Sequence, residues 1–118
     1  MEIRNAMITS TKLGREDHDI LTFCIHIRFG GGTCCGVGCY ALDYYDTKKQ
    51  ENVFYARGME LISKILDVVG VKDWEDLKGK YIRIKDNGYN STIDEIGNLL
   101  EDKWLNFKEF FSEDNKEE

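Results

Sequence analysis

The chain contains no proline, only two histidines, and no apolar run long enough to span a membrane. Without proline, no ring fixes a turn, so the bends fall to glycine and to Asn or Asp. Two histidines leave little material for an imidazole-based acid–base or metal site. A bilayer-crossing helix needs about 20 consecutive, mostly apolar residues. An excess of positive charge is missing too: 22 acids face 16 bases, for a net charge of −6. Five of those acids, Glu109, Glu113, Asp114, Glu117 and Glu118, fall in the last ten residues against Lys116, leaving residues 1–108 at a net −2. Duplex nucleic acid is held by clustered Lys and Arg that release counterions, so no duplex-binding role is expected. No charged-then-apolar leader opens the sequence, and the expectation is a cytoplasmic protein with reduced thiols and no membrane partner.

What is present is 118 residues of ordinary composition, 42% hydrophobic and 32% charged, the size and make-up of one globular domain. The most unusual stretch is Arg28-Phe29-Gly30-Gly31-Gly32-Thr33-Cys34-Cys35-Gly36-Val37-Gly38-Cys39-Tyr40, with five of the eleven glycines and three of the four cysteines. It follows the clearest strand pattern in the chain. Leu21, Phe23, Ile25, Ile27 and Phe29 occupy odd positions, and Thr22, Cys24, His26 and Arg28 even ones, the period of a half-buried strand. Gly30–Gly32 supplies a tight reversal, after which Thr33–Leu42 returns antiparallel. Strict alternation on the return strand puts Cys35, Val37, Cys39 and Ala41 on one face, and Gly36, Gly38 and Tyr40 on the other. Two glycines side by side present a flat floor of peptide, open to a planar ligand or a packed ring.

Elsewhere the pattern is simpler. Ile3–Thr11 reads as an imperfect strand ended by a turn at Leu13–Asp19, and Asp43–Asn52 reads as a charged solvent loop. Val53–Val69 has helical period, with Met59, Ile62, Leu66 and Val69 on one stripe, Leu61 and Ile65 beside it, and Gly70 as a left-handed cap. Asp73 caps a single helical turn over Trp74–Leu77 that closes near Gly79. Lys80–Lys85 alternates with Ile82 and Ile84 inward, and Asp86-Asn87-Gly88 turns. Ser91–Leu100 fits a helix with a capping box or a strand after the Asn-Gly turn, and the strand is favoured. Trp104–Phe111 reads as a short helix. The expected fold is α+β, a mostly antiparallel sheet with a glycine-rich β-hairpin, one long helix and a short C-terminal helix. Residues 1–111 form the single domain and 112–118 an acidic, frayed tail.

Candidate chemistry is sparse. Cys34 and Cys35 are adjacent on a strand and point to opposite faces, so with Cys24, His26 and Cys39 they make a poor zinc set; small residues filling a tight sheet is the favoured reading. A cysteine nucleophile would need a base, and only His18 and His26 are available. Neither His26 on a strand face nor the polar turn Glu16-Asp17-His18-Asp19 specifies catalysis. No metal, cofactor or catalytic residue is expected. The glycine run is neither a P-loop nor a dinucleotide fingerprint, because a strand rather than a helix follows it. The isolated bases are Arg28, Arg57, and Arg83 with Lys85; the arginines are suited to bidentate phosphate recognition, with free N–H groups at the helix N-terminus near Arg57. Tyr40, Tyr44, Tyr45, Tyr55, Tyr81, Tyr89 and Trp104 lie outside the apolar stripes and suit either base stacking or a protein interface.

Several segments together resemble a known family. They are Leu13-Gly14-x-Glu16-Asp17-His18, Ile20-Leu21-Thr22-Phe23, the glycine hairpin ending in Tyr40-Ala41-Leu42-Asp43, Gly58-Met59-Glu60, Trp74-Glu75-Asp76-Leu77-x-Gly79-Lys80-Tyr81-Ile82-Arg83, Ile96-Gly97 and Asp102-Lys103-Trp104. This order, over nearly the whole chain, resembles the phage-encoded Thoeris anti-defence proteins that act as signal sponges; Cys39 stands where that pattern has glycine. The resemblance implies a non-enzymatic homodimer or higher homo-oligomer that sequesters a cyclic ADP-ribose isomer, or cyclic oligonucleotides, in an infected bacterial cell. It implies that Arg28, Arg57 and Arg83 face phosphates and that Tyr81 or Trp104 stacks on adenine. With the glycine floor, the candidate ligand-binding set is Arg28, Gly36, Gly38, Tyr40, Arg57, Tyr81, Arg83 and Trp104. The alternative is an anti-CRISPR-like protein-binding inhibitor that uses its acidic tail and aromatic C-terminus as a mimic of DNA.

Overall fold

The computed structural model describes residues 2–16, 20–54, 57–86 and 93–116. It has eight strands among them, β1 (Glu2–Glu16), β2 (Ile20–Phe29), β3 (Thr33–Val37), β4 (Asp43–Asp46), β5 (Glu51–Phe54), β6 (Tyr81–Asp86), β7 (Glu95–Gly97) and β8 (Trp104–Asn106). Helix α1 spans Gly58–Val69, a 3-10 turn Trp74–Leu77, and α2 Phe107–Lys116. This is the expected α+β architecture. Six strands form one antiparallel sheet in the order β3-β2-β1-β6-β7-β8, and β4 pairs with β5 separately.

The alternation of β2 decides which side of the sheet is covered. Phe23, Ile25 and Ile27 are fully buried, whereas His26 and Arg28 are exposed. Across the ladder the same face carries Ala6 and Ile8 of β1, Ile82 and Ile84 of β6, Ile96 of β7 and Leu105 of β8, all buried. Leu61, Ile65 and Val68 of α1 and Phe107 and Phe110 of α2 complete that core, with the Phe23 and Phe107 rings 5.6 Å apart. Each such large apolar side chain contributes about 1.5–3 kcal/mol by leaving water. The opposite face, with Asn5, His26, Arg28 and Tyr81, is exposed.

Several boundaries differ from expectation, each for a physical reason. Leu13 to Glu16, expected in a turn, are strand instead and pair with Phe23 to Ile20; the strongly alternating partner strand overrides weak local propensity. Residues 17–19, including His18, lie outside the described residues. Asp43–Asn52 is not a solvent loop but most of the β4–β5 hairpin. Its charges satisfy nearby donors: buried Asp43 accepts the Leu21 N–H at 2.8 Å and the Asn52 side-chain amide at 3.2 Å, and Asp46 accepts the Lys48 N–H at 2.9 Å.

Helix α1 starts at Gly58 rather than Val53 and ends at Gly70, whose φ of 88° is the expected left-handed cap. Its buried stripe is Leu61, Ile65 and Val68, rotated from the expected one, and Met59 is 82% exposed. The Asp73 side chain makes no capping bond to the 3-10 turn, although Gly79 closes it with a φ of 88°. Of Ser91–Leu100, residues Glu95–Gly97 are strand, as favoured; the turn at Asn87 and Gly88 and the capping pair's Ser91 lie outside the described residues. Trp104–Asn106 is strand rather than helix, and α2 continues past Phe111 into the acidic stretch assigned to a tail.

Candidate functional site

Hydrogen-bond register assembles the site, because residues directly opposite one another in an antiparallel pair share a face. On the open face, Met7 of β1 lies opposite Arg28 of β2 on one side and Tyr81 of β6 on the other. Arg28 and Tyr81, distant in sequence, therefore flank one methionine. Together with Asn5, Ala6, Gly30 and Gly32 they line a groove of about 370 Å³. The turn glycines bound its end, and φ values of 62° at Gly30 and 119° at Gly32 are ones that only glycine adopts freely. Arg28 makes no ion pair among the described residues, and Tyr81 is 56% exposed.

The next row of the same face runs Asn5, Arg83, Gly97, Trp104. Here a ring does lie on a glycine floor: a Cβ on Gly97 would stand 2.5 Å from the Trp104 ring. Arg83 sits 4.8 Å and Lys85 4.6 Å from that ring's centroid, and the indole N–H donates to Asp102 at 3.0 Å. The Arg83 guanidinium is also tied down, donating to the carbonyls of Asn98 at 2.7 Å and Glu101 at 2.8 Å. Arg83 and Trp104 thus share the face of the groove, but their own contacts already engage them.

The glycine hairpin departs from the expected geometry. Ile25 pairs with Val37, but Thr22 bridges to Ala41, so the register slips by one residue between the two. The slip falls at Gly38 and Cys39, with φ of 81° and 57°. One extra residue in a strand sends everything after it to the other face. Tyr40, expected beside Gly36 and Gly38 on an open floor, turns inward instead. Its ring lies 4.6 Å from that of Phe111, and its hydroxyl donates to Asp94 at 3.3 Å. Burial, with Asp94 alongside, raises the Tyr40 pKa above its ordinary value of 10.0.

Neither glycine is a bare surface. A Cβ on Gly38 would stand 2.7 Å from the Phe23 ring, and one on Gly36 would stand 3.0 and 3.1 Å from the sulfurs of Cys39 and Cys24. Those sulfurs are joined as a disulfide, where reduced thiols were expected. Cys34 and Cys35 remain thiols, and burial, with Cys34 and Asp86 nearby, pushes the Cys35 thiol up. Arg57 stands apart from the open face. It donates to Glu60 at 2.8 Å and to the Phe110 carbonyl at 3.1 Å, and lies 4.0 Å over the Phe110 ring, so it docks α2 against the start of α1. The hydrogen bond from Arg57 holds the Glu60 carboxyl below its usual range.

Of the eight residues singled out in the sequence, the fold brings Arg28 and Tyr81 into one groove, places Arg83 and Trp104 beside it, and puts Gly36, Gly38, Tyr40 and Arg57 to structural use. Met7, Asn5, Ala6, Gly30 and Gly32 complete the groove and were not among the eight. Glycine at 30 and 32 was visible as a turn; the pairing that brings Met7 and Asn5 alongside has no local sequence signal.

No protein-family model, curated protein or solved structure matches the chain.

Proposed function

We propose that this chain is a non-catalytic binding protein that captures a small cyclic nucleotide signal of the cyclic ADP-ribose class and holds it uncleaved. The observation that carries this reading is the cross-strand row Arg28, Met7, Tyr81, which sets a cation and an exposed aromatic ring either side of a groove. A guanidinium suits bidentate contact with phosphate oxygens. A phenol ring suits stacking on a base. At about 370 Å³ the groove falls within the range of small-molecule sites. Because it lies on an exposed sheet face, enclosure of the ligand would come from a second copy of the chain, in line with the homo-oligomer that the resemblance implies. Captured in this way in an infected bacterial cell, the signal would not reach its effector.

The test is incubation of the protein with glycocyclic ADP-ribose, removal of free nucleotide by size exclusion, then heat release and mass spectrometry. Recovery of intact nucleotide from the protein fraction supports the reading. Nucleotide left wholly free at micromolar protein overturns it for that ligand, and recovery of a cleaved product overturns the non-catalytic part.

A further inference from the structure

The disulfide on the open face does not belong to the groove, and three observations around it converge. Gly36 leaves a gap into which both sulfurs fit, since a Cβ there would stand 3.0 Å from the Cys39 sulfur and 3.1 Å from that of Cys24. The same gap is bordered by His26, whose Nδ1 would lie 3.9 Å from that Cβ. Cys39 itself has a φ of 57°, a left-handed conformation that non-glycine residues rarely adopt without being held there. Cys39 is exposed and Cys24 half-buried, so exchange partners can reach the bond. Structural disulfides are typically shielded, whereas exposed ones, and ones that hold strain, are the labile ones.

We infer that Cys24 and Cys39 form a reversible thiol–disulfide couple that fastens the Gly38–Cys39 bulge to β2. In the oxidising direction, the two thiols transfer two electrons and two protons to a low-molecular-weight disulfide such as oxidised glutathione. One protein S–S bond forms and two small thiols leave. In the reducing direction, glutathione thiolate attacks the exposed Cys39 sulfur and Cys24 departs as the thiolate. A second glutathione then resolves the mixed disulfide. The bridge closes a chain separation of 15 residues, so its loss frees the far end of β3 and the register slip that turns Tyr40 inward. This inference is independent of the proposed ligand, because its readout is the state of the sulfurs.

The experiment equilibrates the full chain across ratios of reduced to oxidised glutathione, traps thiols with N-ethylmaleimide, and reads intact mass and peptide map. Cys24 and Cys39 should become alkylated together at an intermediate ratio, while Cys34 and Cys35, already thiols in the folded chain, should be alkylated without needing that reduction. Reduction should lower Tm by roughly 10 °C, from the entropy of a loop of this length. Cys39→Gly, which suits the backbone conformation, should fold and lose the redox dependence of Tm. Cys24→Ser should lose it as well, from a lower starting Tm. A pair that stays bonded at every ratio in the folded protein, that never bonds, or that titrates as two independent glutathione adducts overturns the inference. So does a Cys39→Gly variant whose Tm still responds to the buffer.

Discussion

Replacing Gly97 by alanine should cost the fold far more than a single methyl group suggests. The new Cβ would stand 2.5, 2.7 and 2.7 Å from three carbons of the Trp104 ring, where carbon atoms rest at about 3.5–4.0 Å. The ring must therefore retreat by about 1 Å from the peptide it lies on. In doing so it leaves Arg83 and Lys85, now 4.8 and 4.6 Å from its centroid. Overpacking of this kind costs about 1–3 kcal/mol, and each cation–π contact at a partly exposed site is worth about 0.5–1 kcal/mol. Against this, alanine recovers about 0.5–1 kcal/mol of the conformational entropy that glycine loses in a strand. The balance is a destabilisation of about 2–3 kcal/mol, read by urea unfolding as a lower midpoint at unchanged m-value. In a Trp104→Ala background the obstruction is gone, and the same Gly97→Ala change should be neutral or stabilising by about 0.5 kcal/mol. A Gly97→Ala variant as stable as the parent, or one equally costly with and without Trp104, would refute the reasoning.

Gly38→Ala meets both a φ of 81° and the Phe23 ring at 2.7 Å, and should lower stability by about 2–4 kcal/mol in the same unfolding assay. Gly31→Ala, with nothing within 4 Å, should stay within about 0.5 kcal/mol. Tyr40 has a raised pKa in the folded chain, so its contribution to stability is complete below the unfolded value near 10 and is lost as pH rises through the folded value. Alkaline unfolding should show that loss in the parent and a shallower one in Tyr40→Phe; identical profiles would contradict the assignment. Reduction of the Cys24–Cys39 bridge should lower Tm in the parent and leave Cys39→Gly unmoved.

The sequence carried the α+β class because β2 and β6 alternate cleanly and Gly70 marks a helix end, all of them local signals. It misplaced what depends on partners. The β4–β5 hairpin looked like a solvent loop because Asp43 is charged, yet that carboxylate is buried and accepts the Leu21 N–H. Strict alternation puts Tyr40 on the open face, but one extra residue at Gly38 and Cys39 reverses the parity. A ring does lie on a glycine, but at Gly97 rather than at Gly36 or Gly38, and its partner Trp104 arrives only through β7–β8 pairing. Arg28 and Tyr81 were each legible as a base or an aromatic without an obvious core role; their meeting across Met7 follows from register, which no single segment encodes.

If the Arg28–Met7–Tyr81 row binds a nucleotide as proposed, isothermal titration with glycocyclic ADP-ribose should show it. The parent should bind with a dissociation constant in the micromolar range or tighter. Arg28→Ala should weaken that by about 10–100-fold, as expected for loss of a charge-assisted contact worth about 1.5–3 kcal/mol. Tyr81→Ala should weaken it by a similar factor through lost stacking of about 1–3 kcal/mol, while Arg57→Lys, remote from the groove, should bind as the parent does. No binding by the parent, or equal binding by parent, Arg28→Ala and Tyr81→Ala, would contradict the account.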